Sequence, residues 1–198
     1  MTILYKLTDE NDQTCGQTQW GENISHTESG EGGLYGQGGW IHAYTDPLLA
    51  IFLNPLHDNF KSPHLWEAEG EVEKTDHGLR VGTTRLTTIR RLPLPDVTTE
   101  HYIKFAILCT KERDFGTPQW HLWADKWLSG EDRSKEAAMA AEAAANASLA
   151  EATVAAVFAA SAAADATCAA SVAAKAAYRT AVTTSNFDLI GIAKRAIQ

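Results

Sequence analysis

Four glutamates at two-residue spacing, Glu67, Glu69, Glu71 and Glu73, form the densest chemical pattern in the chain. They alternate with Ala68, Gly70 and Val72 along LWEAEGEVE. Side chains of a strand repeat every two residues, so this spacing predicts one face of carboxylates and one of small residues. Like charges at roughly 7 Å spacing repel, and persist only in water or opposite cations. Arg80, Arg85, Arg90 and Arg91 follow closely. The expectation is therefore pairing with arginines of a neighbouring strand, or an acidic face that binds a partner protein. Other reactive types are dispersed. The seven histidines (His26, His42, His57, His64, His77, His101 and His121) show no HxxxH or HExxH spacing, so no metal site is expected. His42 sits in an apolar strand and reads as a core residue. Cys15, Cys109 and Cys168 form no CxxC pair, which argues against a disulfide framework or zinc site and for a reducing compartment. No nucleophile elbow, GxGxxG or Walker pattern occurs.

The elements that must position these residues are partly legible. Thr2–Leu7 reads as a first strand and Trp40–Tyr44 as a short one. Between them, residues 8–39 are polar and rich in glycine. Asp46-Pro47 has the form of an N-cap followed by a first-turn proline, opening an apolar helix that Asn54-Pro55 is expected to end. Leu79–Leu92 continues in β style. Thr98 or Thr99 caps a helix through Cys109. Thr117-Pro118 opens another, with Trp120, Trp123 and Trp127 on one face and Gly130 as its stop.

From Ala137 to Ala181 more than half of the residues are alanine, with no glycine or proline. Alanine is the strongest helix former, so the tract is helical. As one helix, residues 132–182 would extend on the order of 75 Å; folded back, they make a hairpin, with Asn146, Ser161 or Asp165-Ala-Thr167 as break points. Small side chains let helix axes approach closely. We expect packing against another helix, of this chain or a second copy, with Trp120, Trp123, Trp127, Phe158 and Tyr178 as the larger packing residues. The resulting fold class is α+β: a small mixed or antiparallel sheet domain over 1–116, then a helical region over 117–198. The latter divides into a Trp-striped helix at 118–128, the Ala-rich helix or hairpin at about 132–182 and a terminal helix at about 187–197.

Residues 1–116 carry ten Lys/Arg against seventeen Asp/Glu, a net charge of −7. Affinity for nucleic acid comes largely from cations that replace phosphate counterions, so direct nucleic-acid binding is not expected. Glu151, Asp165 and Lys175 interrupt the Ala tract, so it is not a membrane span. The first residues lack the pattern of a signal peptide.

Several phrases occur together: LYK near the start, WIHAYTDP, LWEAEGEV, LPDVTTEHYIKFAILC, WADKWLSGEDRS and a terminal FDLIGIAKRAI. On these the chain resembles a family encoded in tailed phages and prophages, which pairs an N-terminal α+β domain with a variable, low-complexity C-terminal region. The resemblance implies a phage accessory protein. The absence of a catalytic constellation and the acidic, helix-extended layout add the expectation of a non-enzymatic protein of the host cytoplasm, binding a host or defence protein and forming a homo-oligomer through its Ala-rich helices. A virion component is the other placement. The order LYK, WIHAYTDPLLAIF, LWEAEGEV also resembles, at fold level, small ADP-ribosyltransferases. That likeness implies an alternative NAD-using site. Lys6 would stand where that family carries His or Arg, Tyr44 would be the stacking aromatic and Glu100 the catalytic carboxylate. Under the first reading no catalytic residue and no cofactor are expected.

Overall fold

The computed structural model describes residues 1–34, 39–148, 153–183 and 187–198. The chain divides into two units, Met1–Asp96 and Val97–Gln198. The boundary falls about twenty residues before the expected 116 because the helix after it packs with the other helices. A sequence signal marks the spot: Pro93 and Pro95 end the last strand, and proline cannot donate to a ladder.

The first unit is built from antiparallel strands, as the α+β class requires. Its strands are β1 (Thr2–Thr8), β2 (Gln13–Thr14), β3 (Thr18–Gln19), β4 (Ser25–Thr27), β5 (Ile41–Ala43), β6 (His64–Gly70), β7 (Lys74–Asp76), β8 (Arg80–Thr83) and β9 (Arg85–Leu92), with helix α1 (Pro47–His57) between β5 and β6. One sheet has the order β1-β6-β9-β4 and another β5-β8-β7, while β2 and β3 form a short ribbon. Tyr5 and Tyr44 exchange two backbone hydrogen bonds of 2.8 Å, which joins β1 to the chain just beyond β5. Leu4, Ala68, Leu86, Ile41, Ala43, Val81 and Trp20 form the core of this unit. Gly82 pairs with His42 across β5 and β8. A Cβ there would lie 2.5 Å from Leu34 and 3.2 Å from the Trp40 ring, so only glycine lets them close over this sheet.

Two expectations are corrected here. Helix α1 begins at the Asp46 cap, whose carboxylate accepts from Leu48 N at 2.9 Å, but it runs through Pro55 to His57. Asn54 closes the end of the helix. Its side chain exchanges bonds of 2.9 and 3.0 Å with the backbone of Phe60, and its backbone carbonyl accepts from the N–H groups of Asp58 and Asn59. The glutamate strand is also shorter than LWEAEGEVE. Gly70 is the last residue with partners on both sides, Thr2 and Leu86, so Glu71 and Glu73 lie beyond β6.

The second unit comprises α2 (Thr99–Glu112), α3 (Pro118–Ser129), α4 (Lys135–Ala147), α5 (Val154–Ala164), α6 (Ala169–Val182) and α7 (Leu189–Ala196). Thr98 and His101 cap α2 reciprocally, each side chain accepting from the other's backbone N–H. Thr117 caps α3, and Gly130 ends it in the left-handed conformation at φ 80°. The Ala tract is neither one long helix nor a two-helix hairpin: it makes α4, α5 and α6. Asp165 breaks it, accepting from the N–H and hydroxyl of Thr167 at 2.9 and 2.7 Å, a local alternative to helical bonding. The expected close packing is internal to the chain. Helix α2 packs against α5, α6 and α7, and α5 lies against α4 and α6. Ala138, Ala141, Ala145, Ala156, Ala159, Ala160, Ala173 and Ala176 are buried with Trp120, Trp123 and Trp127 in one core, and Phe158 packs against it. Tyr178 is half-buried. Among the described residues no helix is long and apolar enough to cross a membrane.

Candidate functional site

Alternation along β1 places Leu4, Lys6 and Thr8 on its buried face. A lysine thus occupies a position built for an apolar side chain, and only 8% of it is exposed. Its Nζ donates to the carbonyl of His42 at 2.7 Å and lies 5.3 Å from the centroid of the Trp20 ring, within range of a cation–π contact. The bridge at Tyr5 brings Tyr44 beside it. The Tyr44 hydroxyl pairs with Nδ1 of His57 at 2.9 Å, and the two rings stack with centroids 5.9 Å apart. Arg80, first residue of β8, completes the group. Its Nη2 donates to the Leu34 carbonyl at 2.9 Å, its Nη1 is 3.5 Å from His42 Nδ1 and its Nε is 3.7 Å from the Asp76 carboxylate. Lys6, His42, Tyr44, His57 and Arg80 therefore converge from β1, β5, the segment after it, the end of α1 and β8.

Burial dominates the electrostatics of this cluster. It pulls the Lys6 ammonium down to about 8; the Asp58 charge opposes the shift and the Arg80 charge adds to it. It pulls His42 down to about 4 and His57 to about 3, each helped by Arg80. The Tyr44 hydroxyl is pushed up. Both imidazoles are therefore neutral near pH 7. A lysine held below its usual range costs roughly 3 kcal/mol in charged form, a cost that proteins concentrate at functional sites. The histidines have a measurable consequence. Between about pH 6.5 and pH 5 the unfolded chain binds protons on them and the folded chain does not, so stability is lost as pH falls. Discounting for their partial exposure, about 2 kcal/mol is expected to go over that window. Urea midpoints measured across it test this, and a flat profile contradicts it.

No protein-family model, curated protein or solved structure matches the chain.

The remaining expected site residues are placed as follows. Glu100 belongs to the helical unit, near the start of α2, and accepts from Arg133 Nη1 at 2.8 Å. Lys6 and Tyr44 thus share a cluster, and Glu100 has a structural partner of its own. Glu67 is paired by both Nε and Nη2 of Arg90, at 3.2 and 3.0 Å, across β6 and β9. Glu73 accepts from the N–H and hydroxyl of Thr84 at 2.7 and 2.5 Å, which holds its carboxyl below the usual range. Glu69, Glu71 and Glu73 line a cavity of about 290 Å³ with Arg85 and Thr87. The acidic face is therefore divided, with Glu67 and Glu73 committed to neighbours. Among the described residues no three His, Cys, Asp or Glu side chains are grouped to hold a metal ion. Cys109 is buried and its thiol is pushed up, which leaves it unreactive.

A second surface lies on the helical unit. Gln119, Leu122, Trp123 and Lys126 of α3 and Ala137, Ala140 and Ala141 of α4 line an apolar depression of about 180 Å³. Leu122, which lines it, and Met139, also on α4, are 61% and 52% exposed. The sequence reading missed His57, Arg80 and Leu122. Their signals are long-range: His57 meets Tyr44 only because α1 runs past Pro55, and Leu122 lies off the tryptophan stripe of its own helix.

Proposed function

We propose that the chain is a phage-encoded accessory protein that works by binding another protein in the host cytoplasm, with a host or defence factor as the target. The observation that carries this reading is the apolar depression between α3 and α4, lined by exposed Leu122 together with Trp123, Ala137, Ala140 and Ala141. An exposed leucine at the edge of an apolar depression marks a surface suited to a partner's apolar side chains. Two neighbouring helices with a groove between them suit an apolar helix face of a partner, docked through side chains at i, i+3 and i+4. The alanine faces are spent on the chain's own core, so self-association, if it accompanies the activity, uses this same groove. The resemblance of its sequence phrases to a tailed-phage family supports the setting.

Capture from host lysate, with light scattering of the purified chain, tests the reading. The substitution Leu122→Ser is expected to abolish capture while leaving the melting temperature within a few degrees, since the side chain is solvent-exposed. A wild-type chain that is strictly monomeric and retains no protein contradicts it. Recovery of the chain in purified particles by mass spectrometry would replace it with a virion role.

A further inference from the structure

We propose that Lys6 is a carbon dioxide acceptor, its amine forming a carbamate between His42 and Arg80. In this step the Nζ lone pair attacks the carbon of CO₂ and an N–C bond forms. One C=O π pair moves onto oxygen, and a proton leaves nitrogen for solvent. The product is an N-carboxylate, and no oxidant, reductant or further reactant is needed.

Three observations converge on this step. The first is size: with 8% of Lys6 exposed, only a very small electrophile reaches its amine without opening the sheet unit. The second is the charge at the site. As an ammonium, Lys6 repels Arg80; as a carbamate it attracts it. His42 ties the two together, through its carbonyl at 2.7 Å from Lys6 Nζ and its Nδ1 at 3.5 Å from Arg80 Nη1. Its Nε2 is shielded from solvent and has no hydrogen-bond partner among the described residues. A carbamate oxygen is an acceptor of the kind that a buried imidazole N–H lacks. The third is the availability of free amine. Burial brings Lys6 down to about 8. Near pH 8 it thus holds on the order of a hundredfold more neutral amine than an exposed lysine. The other groups around the amine are Asp58, whose charge favours the ammonium, Asp76 beside Arg80, and the neutral His57–Tyr44 pair. Asp58 opposes the step; Arg80 and His42 favour it.

The full chain is equilibrated with ¹³C-labelled bicarbonate and CO₂ near pH 8, the carbamates are trapped as ethyl esters with triethyloxonium, and peptides are read by mass. The α-amine at exposed Met1 is the internal positive control. Exposed Lys61 and Lys135 are the negative ones. The expected result is trapped label on Lys6 at about tenfold or more the occupancy of either exposed lysine, in line with its larger free-amine fraction. Lys6→Arg, which keeps the charge and cannot react, is expected to remove the corresponding ¹³C carbamate resonance. Label on Met1 with none on Lys6, or Lys6 labelled no more than Lys61, overturns the proposal. The wild-type comparison decides the question even where Lys6→Arg fails to fold.

Discussion

Trp120→Ala is expected to destabilise the helical unit by about 4–5 kcal/mol, at the upper end for removal of a buried tryptophan. Trp120 is wholly buried, and its Nε1 donates to the Ala156 carbonyl at 2.8 Å, tying α3 to α5. What surrounds it makes the loss unusually hard to absorb. Trp123 lies 5.7 Å away between ring centroids, but much of the rest of the core is alanine. Leucine or methionine can change rotamer to fill a hole; alanine has no rotamer to change, so only whole helices can move. A cavity lined by methyl groups on packed helices therefore stays largely open. Natural domains have only about 5–15 kcal/mol in total, so the variant sits near the edge of folding. Trp120→Phe separates the two contributions: it retains most of the ring and loses the N–H bond, for an expected 1–2 kcal/mol. Urea unfolding followed by far-UV circular dichroism reads both. A loss below about 2 kcal/mol for Trp120→Ala means that the alanine shell collapses freely and the packing argument is wrong.

Local rules carried most of the elements, and tertiary contacts decided the rest. Caps and periodicity placed α1, α2 and α3 to within a few residues, because Asp46, Thr98 and Thr117 act on their own first turns. Asp165 was legible as a break for the same reason. Asn146, also offered as a break point, stands one residue before the end of α4, whereas Ser161, the third candidate, lies within α5, because a lone serine is no obstacle inside a tract of alanine. Residue Lys6 shows the limit for the site. Alternation alone sets it opposite the more apolar Ile3, Tyr5 and Leu7, so its burial is decided by the fold, and Arg80 and His57 reach it only across 74 and 51 positions of sequence. No local spacing encodes such a convergence. The acidic ladder failed for a related reason: its period of two was real, but a strand ends where its partners end, and β1 begins at Thr2 opposite Gly70.

Asp12→Ala is expected to cost the sheet unit about 3 kcal/mol, because one carboxylate ties together elements that lie far apart in sequence. Oδ1 accepts from His64 Nδ1 at 2.8 Å and from Trp66 Nε1 at 3.1 Å, both on β6, and Oδ2 accepts from Arg91 of β9. The Thr8 hydroxyl at the end of β1 adds a bond of 3.4 Å, and the Asp12 carbonyl accepts from Trp20 N at 2.8 Å. Arg91 is half-exposed and finds water when the carboxylate goes, so its share of the loss is small. Trp66 is almost wholly buried, and its indole N–H is left without an acceptor; this sets the magnitude. The backbone sharpens the test, since Asp12 has φ 60°, a left-handed conformation that Asp, Asn and Gly tolerate and Ala resists. Asp12→Gly removes the same acceptor without that strain and should be less harmful than Asp12→Ala by about 1 kcal/mol. Asp12→Asn keeps the backbone and one acceptor oxygen but turns an amide donor toward Arg91 or His64, for the smallest loss of the three. The order Asn, Gly, Ala in rising cost, with the Trp66 indole proton shifted in the last two, is the signature of a carboxylate hub. Equal costs for Gly and Ala would mean that the conformation of Asp12 carries no strain and the side-chain bonds act alone.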